Sequence, residues 1–243
     1  MMLPACARTR IKICGLTRVE DVQQACALGA DAVGFVCYAG SARYVDPARL
    51  QELAGAVPPL VTPVLLFVDA PHRDVRRALE IVPNALLQFH GSEDHDTCRA
   101  YGRPYLRAVP MAAGIDLLEW EQRFPSAAGL LADAPAAPVV QAAAPAGARE
   151  VAGADAPEGR GYGGSGRVFD WSRLPGPAAR RLSLVLAGGL DAANVAGAVV
   201  LVRPHAVDVS SGVEAAPGIK SAERMRSFIA AVRAADFKMN PAR

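Results

Sequence analysis

Short, nearly continuous apolar runs recur along the chain, separated by longer stretches in which apolar residues return every three or four positions. The runs are RIKICG (10–15), AVGFVCY (32–38), PVLLFVD (63–69), ALLQFHG (85–91), YLRAVPM (105–111), GLLADA (129–134), LSLVLAGG (182–189) and AVDVSS (206–211). Strands covered on both faces read this way, because both sets of alternate side chains meet apolar neighbours. Between them VEDVQQACALG, DPARLQELAGAV, RDVRRALEIV, DLLEWEQRF, DAANVAGAVV and SAERMRSFIAAVRAAD each open near an Asp, Ser or Pro, as helices do. The repeat predicts an α/β fold: a (β/α)8 TIM barrel, one domain over residues 10–236 with tails at 1–9 and 237–243. In such a barrel the functional groups collect on the loops at the strands' C-terminal ends. An open, doubly wound sheet accommodates the same order of elements and stands as the alternative.

Six of the seven intervals between run starts fit one strand–helix unit; the seventh, from 129 to 182, is longer by nearly thirty residues. Pro135 to Gly166 holds ten Ala, seven Gly and four Pro in 32 residues, too little bulk to order itself by burial. We expect a long, flexible insertion at 135–166 in the loop after the sixth strand.

The chain has 243 residues, enough for one large core, and its 26 Lys and Arg against 24 Asp and Glu leave a net charge of +2. Near balance removes the electrostatic signature of nucleic-acid or anionic-membrane binding, so an anionic ligand needs a local site. The five cysteines (Cys6, Cys14, Cys26, Cys37, Cys98) form no CxxC pair and no zinc set, which argues against a disulfide framework and a metal. The start of the chain carries no signal-like run, and no stretch reaches the ~18 apolar residues of a membrane span. These features predict a cytoplasmic protein with reduced thiols.

If the barrel closes, the polar ends of its strands converge on one mouth: Cys14, Ser41, Arg43, Asp69, Gln88, His90, Asp133, Gly188, Gly189, Asp208, Ser211 and Gly212. Small turns at AGGL (187–190), SSGVE (210–214) and PGIK (217–220) offer backbone N–H groups to a phosphate. Cys14 beside Lys12 reads either as core packing or as a base whose ordinary pKa, about 8.5, a cationic site would lower. Asp133 reads either as a proton donor at a buried strand end or as a solvated loop acid. Arg43 has the fork that grips a carboxylate, although a surface arginine would look the same; His90 and Gln88 line the mouth.

KICGLT (12–17), GADAVGFV (29–36), SARYV (41–45), QFHG (88–91), YGGSGRVFDW (162–171), LAGGL (186–190), VDVSSGVE (207–214) and PGIK (217–220), in this order, resemble the phosphoribosylanthranilate isomerases, over essentially residues 10–236. The resemblance implies an Amadori rearrangement in tryptophan biosynthesis. N-(5'-phosphoribosyl)anthranilate would become 1-(2-carboxyphenylamino)-1-deoxyribulose 5-phosphate, without cofactor, in a monomer or homodimer. It implies Asp133 as the acid that opens the ribose ring and Cys14 as the base that takes the C2 proton. By the same likeness Arg43 holds the anthranilate carboxylate, Asp208 lines the anthranilate side, and Gly166, Gly189, Ser211 and Gly212 surround the phosphate. The insertion departs from the family, whose loop there is short.

Two related phosphoribosyl barrels fit less well. The aminoimidazole isomerase of histidine synthesis expects an Asp at Cys14, and indole-glycerol-phosphate synthase expects a Lys and Glu set not found in order. A catalytically silent phosphate-binding barrel is the remaining alternative.

Overall fold

The structure, a computed structural model, describes residues 8–135 and 168–239. Eight parallel strands form a closed barrel in sequence order, β1 (Arg10–Cys14), β2 (Ala32–Val36), β3 (Thr62–Phe67), β4 (Leu86–Phe89), β5 (Tyr105–Pro110), β6 (Gly129–Asp133), β7 (Ser183–Leu186) and β8 (Ala206–Val209), with β8 pairing back onto β1. All eight apolar runs are strands, and closure excludes the open sheet. The expected insertion at 135–166 lies outside the described residues beyond Pro135, as does Gly166.

Helices α1 (Val19–Ala27), α2 (Pro47–Gly55), α3 (His72–Ile81), α5 (Leu117–Arg123), α6 (Val195–Val202) and α7 (Ala222–Met239) occupy the six stretches read as helical. Helix α7 runs three residues past the expected boundary at 236. A further helix, α4 (His95–Arg99), has five residues and hides only Cys98, so it shows no apolar period; the Asp94 carboxylate caps it by accepting from Thr97 N–H at 2.8 Å. After β6 the described chain makes 3-10 turns at Trp171–Arg173 and Pro177–Ala179. After β8 a 3-10 turn at Ser211–Val213 leads into a small antiparallel ribbon of β9 (Glu214–Ala216) and β10 (Ile219–Lys220).

The period of two along each strand divides the core. Ile11, Ile13, Phe35, Phe67, Phe89 and Tyr105 point outward to the helices and are fully buried; Phe89 stands edge-on to Tyr105 with ring centroids 5.9 Å apart. Each such side chain contributes roughly 1.5–3 kcal/mol by leaving water. The alternate residues point inward. Leu106, Ala108, Leu131, Val185, Ala187 and Ala206 form an inner apolar cluster. Lys12, Gln88 and Asp208 are buried polar residues one alternation away from outward-facing core positions, and they put charge and hydrogen bonding inside the barrel.

Closure is fastened at the far end of the barrel from these groups. The Asp236 carboxylate of α7 accepts from the Thr9 backbone N–H at 3.0 Å and from Thr9 Oγ1 at 2.7 Å. The last helix is thus tied to the entrance of β1. Among the described residues no helix is long and apolar enough to cross a membrane, and no cluster of His, Cys, Asp and Glu could hold a metal ion.

Candidate active site

A cavity opens at the C-terminal ends of the strands, and it is lined by Cys14 (β1), Arg43 (after β2), Gln88 and His90 (β4), Asp133 (β6), Gly188 and Gly189 (after β7), and Asp208, Ser211 and Gly212 (β8 and beyond). Of the residues expected at the mouth from the sequence, all but Asp69 are therefore together, with Gly166 outside the described residues. Asp69 faces elsewhere: its Oδ1 accepts from Ser92 N–H and Oγ at 2.6 and 2.8 Å, fastening the β3 and β4 loops to each other.

Register builds the β1 side. Lys12 and Asp208 sit opposite each other in the β1–β8 ladder, and the Lys12 ammonium donates to both Asp208 oxygens at 2.9 Å. Cys14 lies one alternation further along, opposite Gly34 of β2. A Cβ at Gly34 would stand 2.9 Å from Cys14 Sγ and 3.1 Å from Lys12 Nζ, so glycine makes the space both groups occupy. Burial opposes the Lys12 charge, yet Asp208 and Cys14 beside it push the ammonium above the ordinary lysine range.

Burial also pushes the Cys14 thiol up, outweighing the pull of Lys12, and Asp208 adds to the rise. This corrects the expectation of a thiol lowered by its cationic site. The neighbouring charge was visible in KICG; the loss of solvent around it was not.

Asp133 ends β6 at 8% exposure, with Oδ1 accepting from Ala134 N–H at 2.8 Å and Oδ2 3.0 Å from His90 Nε2. The Gln88 amide donates to His90 Nδ1 at 3.1 Å, which in a neutral ring leaves the proton on Nε2, directed at Asp133. Gln88 Oε1 is buried with no hydrogen-bond partner among the described residues. His90 is itself held from behind: buried Arg107 donates to the Phe89 and Gly91 carbonyls on either side of it, at 2.8 and 2.7 Å.

Arg43 donates from Nε and Nη2 to the two Glu214 oxygens at 2.7 and 2.8 Å, a two-point bond that fixes the plane of the guanidinium. Its Nη1 has no partner among the described residues. Behind it Lys220 donates to Glu214 Oε1 at 2.7 Å and to the Ser210 carbonyl at 3.1 Å. Burial works against the Glu214 charge, but Arg43 and Lys220 hold its carboxyl below the usual carboxylate range. Burial pulls Lys220 below the ordinary lysine value, with Glu214 resisting.

Glu214 and Lys220 were missed in the sequence. PGIK reads as a phosphate turn; in the fold it is the tip and return strand of the ribbon, and the Gly218 carbonyl accepts from Thr17 Oγ1 at 2.6 Å. The available signal was the pair of charges Glu214 and Lys220 flanking a Pro-Gly turn, the pattern of a hairpin.

At the other end of the cavity the loops after β6, β7 and β8 crowd together. A Cβ on Gly188 would overlap the Ala134 backbone nitrogen, and one on Gly212 would overlap the Leu190 carbonyl. These glycines let backbone approach backbone, which suits an anion gripped by main-chain N–H groups.

The family model described as N-(5'phosphoribosyl)anthranilate (PRA) isomerase matches residues 11–231. Curated proteins named N-(5'-phosphoribosyl)anthranilate isomerase resemble the chain closely. That of Leptothrix cholodnii is 51% identical over 97% of this chain and 96% of its own length, and that of Methylibium petroleiphilum 50% identical over 96% and 97%. Among solved structures, the phosphoribosyl anthranilate isomerase of Thermus thermophilus superposes with a TM-score of 0.74 at 34% identity, covering 93% of this chain and 99% of its own. A phosphoribosyl anthranilate isomerase in complex with reduced 1-(o-carboxyphenylamino)-1-deoxyribulose 5-phosphate superposes at 0.71 and 31% identity, with the same coverage.

Proposed function

The chain belongs to the N-(5'-phosphoribosyl)anthranilate isomerase family and is an isomerase of the aldose–ketose type, and on that premise we propose that it converts N-(5'-phosphoribosyl)anthranilate to 1-(2-carboxyphenylamino)-1-deoxyribulose 5-phosphate, with Asp133 as acid and Cys14 as base. The observation carrying this reading is that a thiol from β1 and a carboxyl from β6 line one cavity, closed at one side by the glycine turns after β7 and β8.

The chemistry dictates an order. A sugar C2–H is not acidic until the neighbouring carbon is part of an iminium. Asp133 first gives its proton to the ring oxygen, the C1–O bond breaks, and the nitrogen lone pair forms the C1=N bond. Cys14 then takes the C2 proton, and those electrons form C1=C2 as the C1=N electrons return to nitrogen. The enol so formed gains a proton at C1 and loses its hydroxyl proton, leaving the ketone and no net change in composition. Each proton transfer is worth a factor of about 10² to 10⁴.

The raised thiol suits this order. Burial makes Cys14 a stronger base once ionised, so the fraction of enzyme carrying the thiolate is the fraction that can take the C2 proton. Ring opening creates a cation beside that thiolate, which stabilises the charge on sulfur until the proton is transferred. The Lys12–Asp208 pair, being neutral as a unit, leaves that new charge unscreened. Gly188, Gly189, Ser211 and Gly212 take the phosphate, and Arg43 takes the anthranilate carboxylate through Nη1. Gln88 and His90 line the sugar between them, His90 also steadying Asp133, and the protein works in the cytoplasm without a cofactor. Anchored at both ends, the pentose is presented to acid and base together, which supplies much of the remaining acceleration.

Loss of substrate fluorescence tests the assignment. The unaltered chain is expected to turn over, with Cys14→Ala and Asp133→Asn each reduced at least about 10³-fold. Full turnover in either variant removes that residue from the mechanism. An inert chain that still binds the reduced product favours a silent phosphate-binding barrel.

A further inference from the structure

We infer that Lys220, though it does not line the cavity, sets the charge of the carboxylate subsite by acting through Glu214 on Arg43. This rests on the reading of Arg43 as the cation for the anthranilate carboxylate and assigns that site a specificity-determining residue behind it.

Three charged side chains form one buried group: Lys220 at 0% side-chain exposure, Glu214 at 5% and Arg43 at 15%. One anion is shared by two cations, so the group sums to +1. The Lys12–Asp208 pair sums to zero. Without Lys220, Arg43 and Glu214 would form a closed neutral pair. An incoming carboxylate would then meet a guanidinium already balanced by its own partner, and would bring its full desolvation cost against a much smaller attraction. With Lys220 present, Glu214 divides its charge between two donors, and a positive charge is left facing the ligand. That charge is reached through the Arg43 Nη1 edge.

The fold is built to hold Lys220 there. Residues 214 and 220 are paired across the β9–β10 ribbon, and the Gly218 N–H also donates to Glu214 Oε1 at 3.3 Å. The Lys220 backbone N–H donates to the buried Asp21 carboxylate of α1 at 3.1 Å, anchoring the ribbon to the barrel wall. The Ser210 carbonyl at 3.1 Å and the Glu214 carboxylate at 2.7 Å both accept from Lys220, and the anion beside it favours the ammonium form against the pull of burial. A solvated surface lysine would need no such housing.

The test compares two ligands on the full chain: reduced 1-(o-carboxyphenylamino)-1-deoxyribulose 5-phosphate, and its anilino counterpart without the carboxyl group. The ratio of their dissociation constants measures what the carboxylate contributes. Lys220→Gln keeps a donor to Glu214 without the charge and is expected to shrink the ratio at least about tenfold; Lys220→Arg is expected to hold it within about threefold. Should the glutamine variant fail to fold, Lys220→Met carries the same comparison. A large ratio in the unaltered chain that persists in Lys220→Gln or Lys220→Met overturns the inference, as does a parallel weakening of both ligands, which is what mere structural damage would give. A ratio near one in the unaltered chain instead removes Arg43 from carboxylate binding, and the inference falls with it.

Discussion

His90 Nε2 stands 3.0 Å from Asp133 Oδ2, so the carboxyl at the end of β6 has an imidazole as its standing partner. The sequence suggested His90 as a residue lining the mouth; the hydrogen bond makes it the group that orients the proposed acid. Replacing His90 by alanine is therefore expected to lower kcat by about 10- to 100-fold with KM changed less than about threefold. His90→Gln, whose amide can still donate to Asp133, should recover part of the loss. Equal falls in kcat and affinity would point to substrate binding as its main role.

The pH dependence follows from the buried thiol. A base works only when deprotonated, and burial pushes Cys14 up. The kcat/KM profile should therefore climb with pH through an ionisation above the ordinary thiol value of about 8.5. Lys12, Arg43 and Lys220 pull the thiol down and Asp208 pushes it up. Lys12→Met removes the nearest cation and leaves Asp208 unpaired, so the rise should move further to the alkaline side. An unmoved limb would mean that the titrating group is not Cys14.

Gly34 offers a test that replaces no ionisable group. A methyl there would press on both Cys14 Sγ and Lys12 Nζ. Gly34→Ala should cost about 1–3 kcal/mol of stability and lower turnover at least about tenfold, measured by urea unfolding and steady-state rates. A fully active alanine variant would show that the thiol tolerates displacement.

Asp236→Ala leaves the buried Thr9 N–H and hydroxyl without their acceptor. The expected loss is about 1–3 kcal/mol of unfolding free energy, with kcat unchanged because the bond lies at the opposite end of the barrel from the cavity. A fall in kcat among molecules that remain folded would contradict this separation.

The strands were legible because parallel strands covered on both faces cannot alternate, so every one of them shows as an apolar run. Helix α4 was not, since five residues around one buried cysteine carry no period. The cavity residues could be gathered from strand ends alone, for closure brings them together whatever their side chains. Their bonding could not. Lys12 and Asp208 are 196 positions apart and meet only through the β1–β8 ladder. Arg43 was legible as a cation but not its two-point bond to Glu214, because the ribbon that carries Glu214 reads as a simple turn. The thiol went the other way from expectation because charge is written in the sequence and desolvation is a property of the folded shape.

Closure between the first and last strands, fastened by Thr9 and Asp236, also governs the order of assembly. During synthesis β1 is made first and waits, its edge unpaired, until β8 and α7 have emerged. A chain that ends before residue 206 leaves β1 and β7 without their β8 partner, and unpaired strand edges of that kind recruit chaperones or aggregate. For this molecule the vulnerable interval is the time spent on the ribosome before the ring is sealed.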